Sequence, residues 1–550
     1  MSEPVAHQPW NYAEVWESVA EVSADLPAFI QGERVVTWAE FGARADALAA
    51  DFLDAGLSRQ SKVAAYLYNG PEYLTAYYAA FKAGLAPFNV NYRYGSEELF
   101  YLLDNADAEA VVFDAEFADK LAPLRARLPQ VKRWIAVGSP AHAVPDWADD
   151  YETLTAHPRQ RGVVAPWGRS GEDLLIIYTG GTTGMPKGVM WRQEDLWGVG
   201  NYGANPLLGM EALGTARDAG PRAAQGPRPV SLIPCPLMHG TGLMGAIGAL
   251  SAGGAAAFLP SRHFSAAELW DEVDRLGVAR ISIVGMAFCT PMLEVLERNP
   301  GRWNLSTVRV IGSSGAMWSY ENKQGLLRHM PQAALMDAFA SSEAFGMGLS
   351  TSTAGGESPT AKFVQGVNCA VFTEDGRRVE PGSGERGRVA VGGHIPQGYY
   401  KDQAKTDATF PLYEGRRWSM PGDWATVEPD GTLTLLGRGS QCINTGGEKV
   451  FPEEVEEALK KHPAVRDAAV VGLPDPRFGE RISALVELKP EAGQPETAEL
   501  VGHVREHLAD YKQPRAVFFV PSVNRAPNGK LDYKTLKSQA LELATVGAAA

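Results

Sequence analysis

Short apolar runs alternate with longer amphipathic stretches along most of the chain. The apolar runs have the length of buried strands and lie at residues 62–68, 108–114, 173–179, 280–285 and 307–315. Between them, stretches such as 38–56 and 265–277 repeat apolar residues at the spacing of an amphipathic helix. Because strands that alternate with helices form βαβ units, the pattern predicts an α/β fold of parallel and mixed sheets covered by helices.

The pattern changes after about residue 385. Short strand-like segments at 387–393 and 431–437 are separated by glycine turns, which predicts a small antiparallel, barrel-like part. From about residue 440, helical and strand-like segments alternate on a smaller scale, which predicts an α+β unit. We therefore expect a large N-terminal body, residues 1–437, and a small mobile C-terminal domain, residues 438–550.

One segment lacks charged side chains altogether, since residues 229–261 contain no Asp, Glu, Lys or Arg. Prolines and glycines interrupt it, so it is predicted to be a buried strand, loop and helix rather than a membrane span. The preceding segment, 212–229, is rich in Gly, Pro, Ala and Arg and is predicted to be a surface loop.

Composition and charge exclude several classes of protein. The chain has 550 residues, of which 45% are hydrophobic and 21% are charged, as in globular proteins. A net charge of −14 argues against a general nucleic-acid binder, although a few local cations can still hold a phosphate ligand. The four cysteines are far apart, so neither a disulfide framework nor a zinc site is expected. With no recognisable targeting segment, the cytoplasm is the expected compartment.

The most informative segment is 178–189, with the sequence YTGGTTGMPKGV, which follows an apolar strand. Its glycines expose backbone N–H groups, its threonines add hydroxyl donors, and Lys187 supplies a positive charge. Such a loop can wrap and neutralise phosphate oxygens. It is not a Walker A loop, because glycine rather than Ser or Thr follows Lys187. The alternative is an ordinary Gly/Thr turn. That interpretation would be favoured for a generic glycine-rich loop, but this twelve-residue combination is more specific.

This segment resembles the signature loop of the adenylate-forming enzymes, which comprise acyl-CoA synthetases, luciferases and the adenylation domains of peptide synthetases. Four further motifs of that family follow in its usual order and spacing. They are FASSE at 339–343, PGD at 421–423, GRGS at 437–440 with INTGGEKV at 443–450, and PNGK at 527–530. Ala340 replaces the usual glycine, and Ser342 replaces the usual threonine but keeps a hydroxyl. The resemblance covers nearly the whole chain.

The resemblance implies a reaction in two halves. A carboxylate attacks the α-phosphate of ATP to give an acyl-adenylate and pyrophosphate, and a thiol, usually that of coenzyme A, then displaces AMP. Since a carboxylate is a poor nucleophile toward an anionic nucleotide, the site must neutralise the phosphates and align the reactants.

Roles for individual residues also follow from the resemblance. Lys530 is expected to bridge the carboxylate and the α-phosphate, Glu343 to ligate Mg²⁺, and Ser342 to donate to the α-phosphate. Asp423 would accept the ribose hydroxyls. The remaining nucleotide contacts are expected from the phosphate loop (Thr179, Gly180, Gly181, Thr182, Thr183, Gly184 and Lys187), from a strip around the adenine (Ser314, Gly315, Ala316, Asp337 and Phe339) and from Arg438.

Each of these residues also has a simpler structural interpretation. Lys530 alone could be a solvated charge, Glu343 could offset a helix dipole, and Asp423 could form a turn. Phe339 could be a core residue, and Arg438 could form a salt bridge between domains.

Two further features of the resemblance concern domain motion and coenzyme A. Ser440 occupies the hinge position where many relatives carry Asp or Lys, so we expect domain rotation without a charged hinge residue. Gly446 and Gly447 are expected to line the channel for the pantetheine arm, because bare backbone leaves the necessary width.

The acyl pocket is expected near the segment His239, Gly240, Thr241 and Gly242. His239 would abut the acyl group, and a hydrogen-bonded core histidine is the alternative. The following helix carries more glycines and no charge, which favours a bulky hydrophobic acid over acetate. The segments at 392–402 and 470–480 resemble a bacterial branch of fatty-acyl-CoA synthetases and ligases of steroid side-chain acids, so both acid classes are candidates.

We therefore predict an ATP-dependent acyl-CoA ligase that uses ATP, Mg²⁺, coenzyme A and a small carboxylic acid, with no nucleic-acid or integral-membrane partner. The alternative within the family stops at the acyl-adenylate or delivers the acyl group to a carrier protein or to oxygen. A non-catalytic nucleotide-binding scaffold is a third interpretation, which the presence of Lys187, Glu343, Asp423 and Lys530 disfavours. The oligomeric state, a homodimer included, stays open.

Overall fold

The computed structural model describes residues 10–156, 161–181, 184–200, 212–316, 318–356, 361–441, 443–445, 448–475, 479–508, 510–526 and 529–548. The helices within these residues are α1 (Tyr12–Ser23), α2 (Trp38–Asp54), α3 (Pro71–Lys82), α4 (Ser96–Asn105), α5 (Ala118–Leu121), α6 (Tyr151–Ala156), α7 (Gln193–Gly200), α8 (Ala219–Gln225), α9 (Gly240–Ser251), α10 (Ala266–Leu276), α11 (Gly285–Arg298), α12 (Tyr320–His329), α13 (Gln403–Thr409), α14 (Pro452–Lys460), α15 (Thr497–His507) and α16 (Tyr533–Ala548).

The strands of the first half are β1 (Pro27–Gln31), β2 (Arg34–Thr37), β3 (Lys62–Tyr66), β4 (Ala86–Asn89), β5 (Ala108–Asp114), β6 (Arg133–Val137), β7 (Asp149–Asp150), β8 (Leu174–Gly181), β9 (Gly184–Arg192), β10 (Val230–Leu232), β11 (Ala255–Phe258) and β12 (Arg280–Ile283). Those of the second half are β13 (Val310–Ser314), β14 (Ala334–Ser341), β15 (Ala344–Ser352), β16 (Lys362–Gln365), β17 (Cys369–Phe372), β18 (Gly387–Val391), β19 (Gly398–Tyr399), β20 (Leu412–Tyr413), β21 (Arg416–Arg417), β22 (Asp423–Val427), β23 (Leu433–Arg438), β24 (Ile443–Thr445), β25 (Glu448–Val450), β26 (Val465–Asp475), β27 (Gly479–Leu488) and β28 (Ala516–Phe519).

A 13-stranded sheet and an eight-stranded sheet form the N-terminal body. The larger sheet has the order β17-β18-β22-β23-β16-β15-β14-β13-β12-β10-β11-β1-β2, and its strands from β14 through β1 run parallel. The smaller sheet has the order β19-β9-β8-β4-β3-β5-β6-β7 and is parallel from β8 to β7. The predicted α/β class is therefore confirmed.

The predicted antiparallel part is present, but it continues the large sheet. Strands β15, β16, β23, β22, β18 and β17 pair antiparallel, one after another, along the end of that sheet. Within the described residues they do not close on themselves into a barrel.

The C-terminal part has its own sheet and its own hydrophobic core. Strands β25, β24, β27, β26 and β28 form a five-stranded sheet, with α14, α15 and α16 packed against it or each other. Strand β23 ends in the large sheet at Arg438, and β24 begins in the small one at Ile443. A division between residues 437 and 438 stays a prediction.

Local sequence explains where α10 begins and ends. The Ser265 hydroxyl accepts a hydrogen bond from the Glu268 N–H, which caps the first turn of the helix. Gly277 ends it with φ +61°, a left-handed conformation that glycine adopts without steric cost. Between these caps, Leu269, Trp270 and Val273 face the core.

One element was predicted wrongly as a loop. Residues 219–225 of the predicted surface loop form α8, which packs against α1. Gly220 lies so close to α1 that an added Cβ would be 2.1 Å from the Ser18 carbonyl oxygen. The Ser18 hydroxyl also accepts a hydrogen bond of 3.0 Å from the Gly220 N–H. Tertiary contacts therefore order a sequence of weak helical propensity.

The uncharged segment forms β10, a loop, α9 and β11, as predicted. Throughout the described part of the chain, no helix combines the length and the apolar character needed to cross a membrane.

Candidate active site

The predicted phosphate loop is the turn of a β-hairpin. Strands β8 and β9 pair antiparallel, so Thr179 lies opposite Lys187 and Gly181 lies opposite Gly184. Gly180 falls at the irregularity in the register between these two pairs. Thr182 and Thr183, which come between the two strands in the sequence, lie outside the described residues. The hairpin therefore places Thr179, which carries a hydroxyl, opposite Lys187, which carries a positive charge, although the two are eight positions apart in the sequence.

Lys187 has a carboxylate partner that the sequence did not reveal. Its ammonium group contacts Asp402 Oδ2, and both side chains are partly exposed. Asp402 also caps α13, because its Oδ1 accepts a hydrogen bond of 2.9 Å from the Lys405 N–H. The hydrogen bond from Lys187 lowers the pKa of the Asp402 carboxyl. A bound phosphate would compete with this carboxylate for the lysine.

The second motif forms the hairpin between β14 and β15, and three hydrogen bonds hold its tip. The Tyr399 hydroxyl donates to Glu343 Oε1 at 2.8 Å, and the Ser419 hydroxyl donates to the Glu343 carbonyl at 2.5 Å. The Trp191 indole N–H donates to the Ser342 carbonyl at 2.9 Å. Glu343 is therefore fixed at a turn, and the helix-dipole alternative for it is wrong.

The oxygen donors at this tip fit a magnesium ion. Glu343 supplies a carboxylate, and Ser341 Oγ is buried without a hydrogen-bond partner within the described residues. Ser342 offers a second hydroxyl beside it. Mg²⁺ takes oxygen ligands and typically combines one or two carboxylates with water and substrate phosphates. This donor set matches that preference.

The strip predicted around the adenine lies at the carboxyl ends of two parallel strands. Ser314 on β13 is level with Ala338 on β14, and its hydroxyl donates to the Ala338 carbonyl at 2.8 Å. The Thr241 hydroxyl donates to the Ser314 carbonyl at 3.4 Å. Gly315 follows with φ +88°, a conformation that suits glycine, and Ala316 is half-buried. Ligands of α/β sheets bind in such positions, outside the carboxyl ends of the strands.

The side chain of Asp337 forms a buried ion pair, and its predicted contact with the adenine stays a prediction. Successive side chains of a strand point to opposite faces, so Asp337 lies on the face of β14 opposite to Ala338. It is 7% exposed and forms an ion pair of 3.3 Å with the buried Lys323. Burial raises the pKa of the Asp337 carboxyl to about 6 although the Lys323 charge opposes the shift. Asp337 therefore belongs to a buried pair beneath the strip.

Phe339 lies on the same face as Asp337 and is 8% exposed. Its ring packs against Phe363, with ring centroids 5.3 Å apart. This contact is what the core-residue interpretation expects, and the adenine contact of Phe339 stays a prediction.

Asp423, predicted to bind the ribose, begins β22 directly after Gly422, whose φ is +106°. Asp423 is 7% exposed, and its backbone pairs with that of Arg438 on β23. The Gly439 N–H donates to the Gly422 carbonyl at 3.0 Å, which closes the pair of strands. The third and fourth motifs are therefore neighbours, although 14 positions separate them in the chain.

The turn that precedes Lys530, the predicted catalytic lysine, lies against the strip predicted around the adenine. Gly529 is buried, and an added Cβ there would be 2.8 Å from Ala316 Cβ and 3.3 Å from the Val284 carbonyl oxygen. The turn is closed by two hydrogen bonds, in which the Ala526 N–H donates to the Lys530 carbonyl and the Gly529 N–H to the Ala526 carbonyl. Lys530 follows directly and is exposed, and its catalytic role stays a prediction.

Two further contacts hold the C-terminal domain in the orientation that places Gly529 close to Ala316. Arg466 on β26 forms an ion pair of 3.4 Å with Glu294 on α11. Arg386 donates a hydrogen bond of 3.4 Å to the Tyr511 hydroxyl. These two contacts also join the small domain to the body.

His239 precedes α9, and the charge of Lys530 affects the pKa of its imidazole. Burial is the main cause that lowers the pKa of the His239 imidazole to about 4, and the charges of Lys530 and Arg93 add to the shift. The imidazole is therefore neutral near pH 7. Because Lys530 contributes to this shift, the predicted acyl segment and the C-terminal lysine belong to one electrostatic site.

Two asparagines that the sequence analysis missed position the motifs. Asn89 at the end of β4 receives the Tyr178 N–H at 2.7 Å and donates to the Tyr178 and Met238 carbonyls at 2.9 and 2.6 Å. Asn69 after β3 donates to the Cys235 carbonyl at 2.9 Å and receives the Leu237 N–H at 2.8 Å. A polar residue at the carboxyl end of a buried parallel strand is the signal that could have identified them.

Gly242 and Gly245 of α9 do not leave the open space that was predicted. An added Cβ at Gly242 would lie 2.4 Å from the Pro236 carbonyl oxygen, and one at Gly245 would lie 2.7 Å from Ser282 Oγ. These glycines let the helix pack tightly on the sheet. At Gly240, in contrast, an added Cβ would meet no described heavy atom within 4 Å. Open space therefore lies at the start of the helix, beside His239.

Two predicted features of the coenzyme A half-reaction are only partly described. The hinge residue Ser440 lies in a short 3₁₀ turn, Gly439–Gln441, between the two sheets. Gly446 and Gly447 lie outside the described residues. The hinge and channel assignments stay predictions.

The sequence matches two family models that together span both parts of the chain. The model described as AMP-binding enzyme matches residues 16–400, and the model described as AMP-binding enzyme C-terminal domain matches residues 454–530.

Several curated proteins are similar over almost their whole length. A 3-oxocholest-4-en-26-oate–CoA ligase of Rhodococcus rhodochrous is 41% identical over 538 residues, with 96% of each chain covered. A medium/long-chain-fatty-acid–CoA/3-oxocholest-4-en-26-oate–CoA ligase of Mycobacterium tuberculosis is 38% identical over 537 residues, again with 96% of each chain covered. The medium-chain acyl-CoA ligase Mig of Mycobacterium avium is 36% identical over 544 residues, which cover 96% of this chain and 98% of Mig.

Solved structures share the fold at lower identity. The anthranilate CoA ligase AuaEII in complex with anthranoyl-AMP superposes with a TM-score of 0.83 at 21% identity, covering 98% of this chain and 99% of that one. A benzoate CoA ligase from Burkholderia xenovorans superposes with a TM-score of 0.79 at 21% identity, covering 96% and 100%.

Proposed function

The chain belongs to the AMP-binding enzyme family, and on that premise we propose that it is an ATP-dependent acyl-CoA ligase. It activates a bulky hydrophobic carboxylic acid as acyl-AMP, releases pyrophosphate and transfers the acyl group to the thiol of coenzyme A. The observation that supports this most is the contact of Gly529 with Ala316, since it brings the residue before Lys530 against the nucleotide strip.

In the first half-reaction, Lys530 attracts the substrate carboxylate and the α-phosphate at once. Two anions that would otherwise repel each other are thereby held in one place, which is positioning and charge stabilisation together. His239 supports this arrangement, because a neutral imidazole does not compete with the lysine for the carboxylate. Lys187 would exchange Asp402 for the terminal phosphates of ATP.

A magnesium ion would neutralise part of the phosphate charge when bound. Glu343, held by Tyr399, and the hydroxyls of Ser341 and Ser342 would hold it together with the phosphates. The chain's own contribution is to fix this turn in place before the nucleotide arrives.

The second half-reaction requires a different orientation of the C-terminal domain. The contacts made by Gly529, Arg466 and Arg386 would break, and rotation at Ser440 would bring the 446–447 segment to the acyl-adenylate. Coenzyme A would then reach the acyl carbonyl through its pantetheine arm.

The substrate class follows from the relatives and from the pocket. The similar proteins named above act, by their names, on medium- and long-chain fatty acids and on a steroid acid. Open space at Gly240 and the absence of charge on α9 suit such acids better than small or charged ones. We propose a fatty acid or a steroid side-chain acid, and the cytoplasm, where ATP and coenzyme A are supplied, as the location. A homodimer stays a prediction.

Pyrophosphate release across a panel of acids tests this function. The panel runs from acetate through long fatty acids to steroid side-chain acids, each with and without coenzyme A. We expect release with one hydrophobic class and its thioester, identified by mass spectrometry, only when coenzyme A is present. Acyl-adenylate without thioester would support delivery to another acceptor. Binding of ATP with no release for any acid would support the scaffold interpretation.

A further inference from the structure

A cluster of imidazole and carboxylate side chains lies on α15 of the C-terminal domain, and none of its members belongs to the active site described above. Donor atoms of His503, Glu506 and His507 all lie within 4.8 Å of one another. Among the described residues, this is the group of three ligand-type side chains close enough to share a metal ion. It contains no cysteine, so the wide spacing of the cysteines, from which no zinc site was expected, does not bear on it.

Helix geometry makes this spacing rigid. Residues three and four positions apart lie on the same face of an α-helix, so the three side chains project together. The adjoining face of the helix is anchored, because Leu500 and Val504 are buried in the core of the C-terminal domain. The ligands therefore stand on a packed scaffold and not on a loose surface turn.

The ring of His507 already has the orientation that metal binding needs. Its Nδ1 lies 2.9 Å from the His503 carbonyl oxygen, which can only accept, so Nδ1 carries the proton. The lone pair is then on Nε2, which is left as the coordinating atom. Metal-binding histidines commonly donate their second ring N–H to a backbone carbonyl in this way.

His503 is held in the form that binds metals. Its Nε2 is buried and has no hydrogen-bond partner within the described residues, while the backbone of Ala458 hydrogen bonds to the ring. The ring packs edge-on against His462, with centroids 5.2 Å apart. Because Nε2 has no partner, the ring nitrogen that donates to the Ala458 backbone is Nδ1, and the lone pair is left on Nε2 for a metal ion.

We propose that His503, Glu506 and His507 bind one divalent transition-metal ion of the Zn²⁺ class. Two imidazoles and one carboxylate suit Zn²⁺, Ni²⁺ or Cu²⁺, whereas Mg²⁺ and Ca²⁺ prefer oxygen ligands. Ligands about 2.0–2.1 Å from a tetrahedral zinc ion are about 3.3 Å apart, so rotation of the exposed Glu506 and His507 completes the site. A water molecule would take the fourth position, as at open sites with three protein ligands.

Isothermal titration with Zn²⁺ tests the proposal on the untagged, full-length protein after treatment with a chelator. We expect one site in the parent and at least tenfold weaker binding in His507→Gln, whose side chain is exposed and whose loss does not disturb the core. The double variant His503→Gln/His507→Gln should lose the site. A tenfold excess of Mg²⁺ should leave Zn²⁺ binding unchanged.

A matched control removes two exposed histidines elsewhere, in His142→Gln/His263→Gln. This variant should bind Zn²⁺ like the parent. As a second readout, Zn²⁺ should raise the melting temperature of the parent and of this control but not of the His507→Gln variant. The proposal is overturned if His507→Gln binds like the parent, or if the control loses as much affinity.

Discussion

Trp191 donates its indole N–H to the main-chain carbonyl of Ser342 over 2.9 Å, and this bond joins the first two motifs of the site. Trp191 lies on β9, which carries Lys187, the lysine proposed to bind phosphate, and Ser342 lies at the tip of the β14–β15 hairpin. The two strands belong to different sheets. The relative position of Lys187 and Glu343 therefore depends on the buried indole of Trp191, although its N–H is hydrogen-bonded to neither residue.

Replacing Trp191 by Phe should slow adenylation through this bond. The variant keeps an aromatic ring but leaves the Ser342 carbonyl without the indole donor, at a cost of about 1–3 kcal/mol in the free energy of unfolding. Because the Glu343 turn then shifts relative to Lys187, we expect pyrophosphate release to fall about tenfold under saturating ATP.

Trp270 provides the matched control for this change. It is also fully buried, and its indole N–H donates a hydrogen bond of 3.0 Å to the carbonyl of Met292 on α11. Trp270→Phe should lose a similar amount of stability in urea unfolding and keep the parent's rate of pyrophosphate release. Equal rates for the two variants would show that the Trp191 bond serves stability alone.

Asp402→Asn should tighten ATP binding. The carboxylate neutralises Lys187 before ATP arrives, so its removal leaves the lysine's charge for the phosphates. Asparagine keeps an oxygen that can cap α13, so the helix should remain. We expect the Kd for ATP to fall about threefold in equilibrium binding, with Asp407→Asn, an exposed change on the same helix, as the control. Weaker binding would mean that Asp402 mainly orients Lys187.

Lys530→Ala should lose the first half-reaction and keep nucleotide binding. Removing a preorganised charge at a reacting centre typically costs about 10²–10³-fold in rate. We expect a loss of that size in pyrophosphate release, with the Kd for ATP changed less than fivefold. Lys534→Ala removes an exposed lysine of the same domain and should change neither quantity. Undiminished adenylation in Lys530→Ala would remove this residue from the mechanism.

The sequence predicted the order of strands and helices well, because apolar runs and amphipathic stretches report burial directly. It missed α8, since Gly220 and its neighbours are ordered by contacts with α1, about 200 residues earlier. The position of Asn89 at the end of a buried strand could have marked it as a site residue, but its partners Tyr178 and Met238 are 89 and 149 positions away. Which residues pair across such distances has no local signature.

Motif positions located the site residues along their strands but not the faces they occupy. Asp337 and Phe339 are buried on the face of β14 opposite to Ala338, which the motif alone did not indicate, and their contacts with the adenine stay predictions. The glycines of α9 show a related difficulty. A missing side chain can leave space or allow close packing, and only the neighbouring backbone at Pro236 decides that Gly242 does the latter.

The pKa of His239 predicts how stability depends on pH. Its folded value of about 4 lies below the ordinary 6.5, so the unfolded chain binds more protons between these values. Stability should therefore rise with pH from about 4 to 6.5 and be fully present above that range. In His239→Gln this contribution, about 2 kcal/mol, should be absent from urea unfolding compared at pH 4.5 and 7.5. His142→Gln, at an exposed site, should keep the parent's pH dependence.

Gly529→Ala should separate the two half-reactions. The glycine has φ +72°, and the added methyl would lie 2.8 Å from Ala316 Cβ, so the turn before Lys530 must move away from the nucleotide strip. We expect pyrophosphate release to fall at least tenfold. Thioester formation from supplied acyl-adenylate should continue near the parent's rate, because that step uses the other domain orientation.

The control for Gly529→Ala has the same backbone strain without the contact. Gly384 has φ +71°, and an added Cβ there would meet no described heavy atom within 4 Å. Gly384→Ala should therefore show the cost of a left-handed alanine, about 1–2 kcal/mol in unfolding free energy, and an unchanged rate of pyrophosphate release. If Gly529→Ala slowed both half-reactions equally, the close approach to Ala316 would not be specific to adenylation. The assignment of this orientation to the first half-reaction would then fail.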